Sequence, residues 1–593
     1  MALGIRSRAI VTLFKLKPLI MNKIRPVILF AAVVLSGLLA YGLWTLPKPQ
    51  NADYEGFSSA RVVEDIRVIS QKPHSVAHPE ERAEVREYLI SRLESMGADT
   101  VMQFCYDSIV GPQNKHVEYT FDAVNILAEF EPASEIVSDT YLMLVAHYDS
   151  RYSQPMPRDT VWSYGAADDG YGIGVILECV SLALKHQHEW KQGVKVLFTD
   201  AEEPGMKGMK AIWENNREVF DNVGLVVNVE ARGTWGPALL FEACPGNEKV
   251  QELYAATAAY PYTYSLTTVV YQFLPMFTDF TIVKDALPGL NFSNIADVNH
   301  YHTDLDNFSN INEKTIQHYG EQIYPLVSEY LAGQEYGDKD YLRADSDKVN
   351  FTIPLLGLFS FSKLGYLILC VVVFVLFLLA FALEGLRGRI RTGKVFGVSL
   401  KVLGGAILGL LAGEGFAYAC AAAAGAKFKL FGTVQGIPFD NKAMILFFVL
   451  MFAACLLAYW NGRSKAARAV SGSMRASAVN NAVTGNALSV LYGTLSLQFV
   501  LSAVLLGVIG ENMMFFITFA FAVAGVILWR LTSLKVWLLA AIVLILLHAF
   551  SFLFALAMAL TIGALGAVAL IALIDMMVII PLADLYLMSP KKK

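Results

Sequence analysis

The sequence predicts an α/β domain, a mostly parallel (mixed) sheet sandwiched by helices, set between an N-terminal transmembrane helix and a C-terminal α-helical transmembrane domain. Three observations predict it. Of 593 residues, 55% are hydrophobic and only 17% charged, against roughly 25% charged in an average soluble domain. The charges crowd between Asn51 and Lys348 and thin out afterwards, as expected of a soluble domain fused to a membrane domain. Within the charged stretch, continuous apolar runs of strand length alternate with helical patterns, the signature of a sheet covered by helices. A net charge of −5 with no basic stripe excludes a nucleic-acid partner.

Taken in order, residues 1–25 carry Arg6, Arg8, Lys15, Lys17, Lys23 and Arg25, and residues 26–46 are apolar and uncharged, long enough at about 20 residues to span a bilayer. A cleaved signal peptide is the rival reading. The length of the run, and Trp44, Leu46 and Pro47 where small residues would be needed, favour an uncleaved anchor. A start at Met21 would keep Lys23 and Arg25 in front of it.

Residues 51–347 form the soluble domain. Glu80–Met96 has helical periodicity and many charges. Tyr141–Asp149, Val194–Asp200 and Gly224–Glu230 read as buried strands, with helices near Gly172–His186 and Met206–Asn215 between them. Each strand ends in acidic or histidine residues, and ligands of parallel sheets gather at the carboxyl ends of strands. Cys105, Cys179 and Cys244 show no paired spacing and leave the redox compartment open.

From 364 to 582 seven spans are expected, near 364–385, 402–424, 442–460, 487–509, 513–529, 536–557 and 560–582. Basic clusters follow alternate spans: Arg387, Arg389, Arg391 and Lys394 after the first, Arg463, Lys465, Arg468 and Arg475 after the third, and Arg530 and Lys535 after the fifth. Lys591, Lys592 and Lys593 close a basic tail at 583–593. With the N-terminal span included, all of these fall on one side. The positive-inside rule makes that side cytoplasmic and the soluble domain extracytoplasmic. The chain length and basic tail suit a bacterial inner membrane with the domain facing the periplasm. An endoplasmic-reticulum or vacuolar membrane with a lumenal domain is the alternative, for which Asn291, Asn307 and Asn350 offer glycosylation sequons.

The chemistry-bearing residues lie at the strand ends. His147 in AHYDS precedes Asp149, a carboxylate placed to orient it. GAADDGYG brings Asp168 and Asp169 into a glycine-rich turn, where a carboxylate could bridge two cations or cap the next helix. DAEEPG sets Glu202 beside Glu203, a costly pair unless a cation resolves the repulsion. Glu230 in NVEARG and His302 in HYHTDLD complete a nitrogen–oxygen donor set without cysteine, which suits a catalytic zinc better than a structural one. Singly each has a bland reading as a capped turn or a surface pair.

Together and in this order, HYDS, GAxDD, AEExG, NxE and YHTDLD resemble the aminopeptidase-Y-like zinc peptidases over about His74 to Val327. The added spans are similar to the family's endoplasmic-reticulum and vacuolar membrane branch. The resemblance implies a di-zinc aminopeptidase-like fold and two zinc ions, one held by His147 and Glu230, the other by Glu203 and His302, with Asp168 shared. It implies Glu202 as general base and Asp149 as the residue orienting His147, in a hydrolase that removes N-terminal residues from peptides. Alignment chooses Asp168 over Asp169 and His302 over His300, and Glu230 stands where many relatives have Asp. Arg232 and Tyr301 are candidate substrate contacts; Arg232 would suit a terminal carboxylate, and hence a carboxypeptidase.

Three rival readings fit parts of the same sequence. A glutaminyl-peptide cyclase shares the HYDS-like and double-acid motifs with a single zinc. A non-catalytic receptor ectodomain would have lost Glu202 or a ligand. A transporter with a peptidase-like cap would draw on Glu414, His548, Asp575 and Asp584 in or near the spans. Expected partners are a peptide substrate and the lipid bilayer. Oligomeric state, a homodimer included, is left open.

Overall fold

The computed structural model describes residues 18–42, 46–111, 120–133, 138–152, 154–155, 160–273, 277–432, 434–471 and 476–588. Helix α1 (Pro18–Gly42) is followed by α2 (Ser59–Ile69), α3 (Pro79–Ser95), β1 (Thr100–Val110), β2 (Thr120–Phe130) and β3 (Tyr141–His147). Then come α4 (Gly170–Leu184), β4 (Gly193–Thr199), α5 (Lys207–Asn215), β5 (Val223–Ala231), β6 (Leu239–Ala243), α6 (Glu248–Thr257), α7 (Ser265–Phe273), β7 (Gly289–Asn294) and α8 (Glu313–Ala332). A hairpin of β8 (Lys348–Ile353) and β9 (Gly357–Ser362) leads into the membrane helices.

The main sheet has seven strands in the order β1-β2-β4-β3-β5-β7-β6. Its centre, β4-β3-β5-β7, is parallel, and β1, β2 and β6 join antiparallel. Strands β4, β5 and β7 are buried along their whole length, because a parallel strand covered on both faces has no solvent side to supply polar alternation. Helices α2, α4 and α8 pack together, α4 and α8 also on β3, while α3 and α5 cover the β1–β2 side. The three sequence-predicted strands and three helices are present. Strands β1 and β2 go beyond the sequence expectation: β1 is half exposed, its register shifts between Tyr106 and Ile109, and Ser108 has φ +58°. A bulged edge strand does not keep the alternation that would reveal it.

Among the described residues, seven helices are long and apolar enough to cross a membrane: α9 (Lys363–Leu386), α10 (Thr392–Ala424), α11 (Asp440–Ser471), α12 (Ala476–Ile509), α13 (Met513–Thr532), α14 (Val536–Leu560) and α15 (Leu565–Leu587). The apolar windows of α14 and α15 are 61% and 67% buried against 17% for α9 and α10, so the last two helices form the centre of the bundle. The expected last span begins five residues late, because Thr561 at φ +56° and a 3-10 turn at Ile562–Ala564 separate α14 from α15. Helix α1 begins at Pro18 and its apolar stretch, Ile24–Ala40, is shorter than the other seven; it packs on α14 and α15. The basic residues Arg6, Arg8, Lys15, Lys17, Arg475 and Lys591–Lys593 lie outside the described residues.

The bundle is polarised. Starting from the hairpin, α9 runs away from the sheet domain and carries in its last turn Glu384, which binds Arg389 and Arg530 at 3.0 and 2.9 Å. At the same end Arg463 pairs with Asp584 at 3.1 Å, Lys535 donates to the carbonyl of Tyr586, and Arg25 donates to that of Met588. At the opposite end one apolar cluster is continuous across both domains, joining Leu239, Phe241 and Tyr264 to Phe516, Ile545 and Phe552. The Tyr264 hydroxyl lies 3.2 Å from Ser551 Oγ of α14.

Candidate metal centre and active site

Four strand ends deliver the site. His147 is the last residue of β3, and its Nδ1 lies 2.9 Å from the backbone carbonyl of Asp149. A carbonyl only accepts, so Nδ1 carries the proton and the Nε2 lone pair is turned inward. There Nε2 stands 3.3 Å from Asp168 Oδ1 and 3.6 Å from Glu230 Oε2. Glu230 sits near the end of β5, held by Asn228 Nδ2 at 3.2 Å.

Beyond β4 the chain turns sharply, with Ala201, Gly205 and Met206 at φ +54°, +108° and +57°. Left-handed backbone at a non-glycine residue is costly, and such residues cluster at functional sites. The turn is pinned by Asp149, whose carboxylate accepts the backbone N–H of Glu202 at 2.8 Å and of Glu203 at 3.3 Å. His302, itself at φ +62°, brings Nε2 to 3.3 Å from Asp168 Oδ2 and 3.2 Å from Glu203 Oε2. Two donor triads result, His147–Asp168–Glu230 and Asp168–Glu203–His302, each with its ligand atoms within 4.8 Å of one another. Asp168 belongs to both.

The neighbouring candidates differ in their surroundings. Asp169 caps α4, accepting from Gly172 N at 3.0 Å, which leaves Asp168 facing the centre. His300 Nδ1 is 2.7 Å from Thr234 Oγ1 and belongs to neither triad. Asp149 places its carboxylate 3.6 Å from His147 Nδ1, beyond hydrogen-bond reach; it orients His147 through its carbonyl and the Glu202–Glu203 turn through its carboxylate. Tyr301 stacks on the His302 ring with centroids 3.6 Å apart, and Arg232 lies over Tyr301 at 5.9 Å. Both line the cavity above the site.

Some contributors have no distinctive spacing in the sequence. Arg151, directly after HYDS, donates to the carbonyl and to Oε2 of Glu203, both at 2.9 Å. Asp306, in the YHTDLD stretch, accepts from Ala167 N at 2.7 Å, from Ser163 Oγ at 2.8 Å and from Asp168 N at 3.4 Å. Gln435 comes from the loop joining α10 and α11 and donates to the carbonyls of Tyr301 at 2.7 Å and Val298 at 3.1 Å. No motif within the peptidase-like segment could have disclosed it.

The electrostatics call for cations. Desolvation drives the Glu202 carboxyl well above its ordinary range, and Glu230, Asp279 and Glu203 push the same way while His147 opposes. Burial likewise lifts Asp279, to about 7. Burial works to raise Glu203 too, but His302 and Arg151 outweigh it and hold that carboxyl low. Asp168 Oδ2 and Glu203 Oε1 are buried with no hydrogen-bond partner among the described residues. Orphaned carboxylate oxygens and an inward imidazole lone pair are the donors a divalent ion takes, so the residues fit metal binding.

Two of the three sequons are closed to a glycan. Asn291 is fully buried in β7, bonded to Glu242 at 3.1 Å and Thr278 at 2.9 Å, and Asn350 is buried in β8. All six cysteines are free thiols.

Residues 125–327 match the model of Peptidase family M28, and the chain carries a domain of that family. It is similar to a putative endoplasmic reticulum metallopeptidase 1-B of Caenorhabditis elegans, 29% identical over 37% of this chain and 23% of that protein. It is also similar to the endoplasmic reticulum metallopeptidase 1 of Mus musculus, 24% identical over 42% of this chain and 27% of that one. A vacuolar membrane protease of Candida dubliniensis is 26% identical over 51% of this chain and 31% of its own length. The matched stretch thus spans between 23% and 31% of these relatives. Among solved structures, an aminopeptidase from Aneurinibacillus sp. strain AM-1 is 13% identical over 46% of this chain and 94% of that one, with a TM-score of 0.37. A Porphyromonas gingivalis glutaminyl cyclase is 20% identical over 46% of this chain and 99% of its own, with the same TM-score.

Proposed function

We propose that this chain is a membrane-embedded di-zinc exopeptidase that releases N-terminal residues from peptides, with its peptidase domain on the extracytoplasmic side. One observation carries the reading: two donor triads share Asp168, and Glu202 lines the same cavity. His147 and Glu230 would hold one ion, Glu203 and His302 the other, with Asp168 between them. Two such ions activate a water and polarise a carbonyl. Glu202, not needed as a ligand, takes a proton from the attacking water and returns it to the departing amine. Asp149 fixes the backbone from which Glu202 projects. His302 and Arg151 hold the Glu203 carboxyl low, which suits a ligand, while burial raises that of Glu202, which suits a group that takes up the water's proton.

Arg232 lines the same cavity and would suit a terminal carboxylate, so the amino-terminal preference rests on the family resemblance and is what the peptide series tests. The extracytoplasmic placement rests on the layer of Arg25, Arg389, Arg463, Arg530 and Lys535 at the bundle end remote from the sheet.

The test uses the full chain in detergent or nanodiscs. Metal content is measured, and peptides with free ends are compared with amino-blocked and carboxyl-amidated ones, beside Glu202→Gln. Two zinc ions and release of N-terminal residues from all but the amino-blocked peptides are expected. Cleavage lost on amidation instead would make it a carboxypeptidase. One zinc with cyclisation of an N-terminal glutamine would make it a cyclase.

A further inference from the structure

The cavity that holds the two triads is not closed by the peptidase domain alone. It encloses about 160 Å³, and beyond the carboxylates, His302 and Arg232 its wall is mostly apolar, with Thr267, Thr278 and Ser293 among the apolar side chains. Leu239, Phe241 and Ile295 supply the side nearest the sheet; Met514, from the first turn of α13, and Phe552, Leu556, Ala559 and Leu560 of α14 supply the other. Positions 552, 556, 559 and 560 fall at helical spacing on a single stripe of α14. That stripe is fixed in place: Phe552 is buried, its ring stacks on His548, and Tyr264 meets it edge-on at 5.6 Å.

We infer that membrane helices α13 and α14 form the side-chain subsite of the enzyme and make it selective for peptides whose residue at the cleaved end is large and apolar. The inference rests on the exopeptidase reading and deepens it. The triads and Glu202 put the scissile carbonyl at the polar end of the cavity, so the side chain beside it enters the mostly apolar remainder. A leucyl, methionyl or phenylalanyl side chain gains burial there. A lysyl side chain would leave water for a wall whose charged member outside the metal centre is Arg232, of like sign. Residue preference is therefore shared between the peptidase segment and the bundle, and the peptidase segment alone does not announce it.

The experiment measures kcat/KM of the zinc-loaded full chain in nanodiscs on leucyl, tryptophyl, alanyl and lysyl amides. The unsubstituted protein should prefer leucyl to lysyl amide by tenfold or more. Ala559→Phe, which fills the subsite, should lower the leucyl-to-alanyl ratio at least tenfold, and Leu556→Ala, which enlarges it, should raise the ratio of tryptophyl to leucyl amide. Leu457→Phe, on a 70% exposed position of α11, should shift neither. Ratios within twofold of the unsubstituted protein in both α14 variants, with cleavage intact, overturn this inference alone. No release from any amide by the metal-loaded chain overturns the peptidase reading and this inference with it.

Discussion

Asp149 touches three functional groups without itself belonging to either triad: its carbonyl takes the proton of His147 Nδ1, and its carboxylate takes the N–H groups of Glu202 and Glu203. Base and ligands are therefore separable by substitution. Glu202→Gln keeps the backbone turn and every metal donor while removing the proton acceptor. It should lower kcat by about 10²–10⁴-fold with metal stoichiometry unchanged; loss of zinc in that variant would show Glu202 to be a ligand instead. Asp149→Ala should cost both, because the turn that carries Glu203 loses its anchor. Away from the metal centre, His318 is buried in α8 and its Nδ1 accepts from Ala238 N at 3.1 Å. Burial lowers its pKa to about 3. The unfolded chain takes up a proton near pH 6.5 and the folded one does not, so stability contributed by the neutral ring is present above that pH. It is lost as pH falls toward 3, by at most about 1.4 kcal/mol per pH unit. Melting of His318→Gln against the unsubstituted protein should show a stability gap that narrows between pH 7 and 5; a gap constant with pH would refute the linkage.

At the scale of elements, the order of strand ends makes the site legible in the sequence itself. His147, Asp168, Glu202, Glu203, Glu230 and His302 each close a strand or open a turn, and a parallel sheet brings such ends together whatever their separation along the chain. What stays hidden is what reaches the site sideways. Arg151 and Asp306 act on neighbours through backbone groups, which carry no sequence signature. The edge strand β1 breaks its own alternation. Gln435 lies more than a hundred residues beyond His302 in a loop between apolar helices. Its two hydrogen bonds fix the segment leading into His302, which must hold φ +62°. Gln435→Ala should therefore weaken zinc at the Glu203–His302 position by about 10- to 100-fold, the range typical of residues that orient a ligand, while the His147–Glu230 ion stays. Competition with a graded chelator reads the two ions separately. Equal weakening of both, or of neither, would show that the loop positions nothing.

For the whole molecule, the consequence of a shared apolar core is that the peptidase domain is not a free-standing cap. Leu239, Phe241, Tyr264 and Phe351 are buried in one cluster with Phe516, Ile545 and Phe552 of the bundle, and Tyr264 reaches Ser551 about 13 Å from the end of α14 at the usual helical rise. Excising residues 51–347 would turn that cluster's half into a contiguous exposed apolar patch of the kind that drives association, and would remove Gln435, Phe552 and Leu556 from the site together. The expected outcome is a fragment that retains zinc at His147 and Glu230 but self-associates on size exclusion, binds the second ion weakly, and loses activity on leucyl amides more than on alanyl amides. Full-length protein stripped with a chelator should instead stay monodisperse, lose all hydrolysis, melt at a lower temperature and recover on zinc addition, because ligands that bind only the folded state stabilise it by mass action. A monomeric fragment with both ions and full selectivity would mean that the bundle merely anchors the enzyme. The contrast between stripping the metal and stripping the membrane helices thus separates two dependences that a loss of activity alone would confuse: the chemistry needs the ions, and the fit of the substrate needs the bundle.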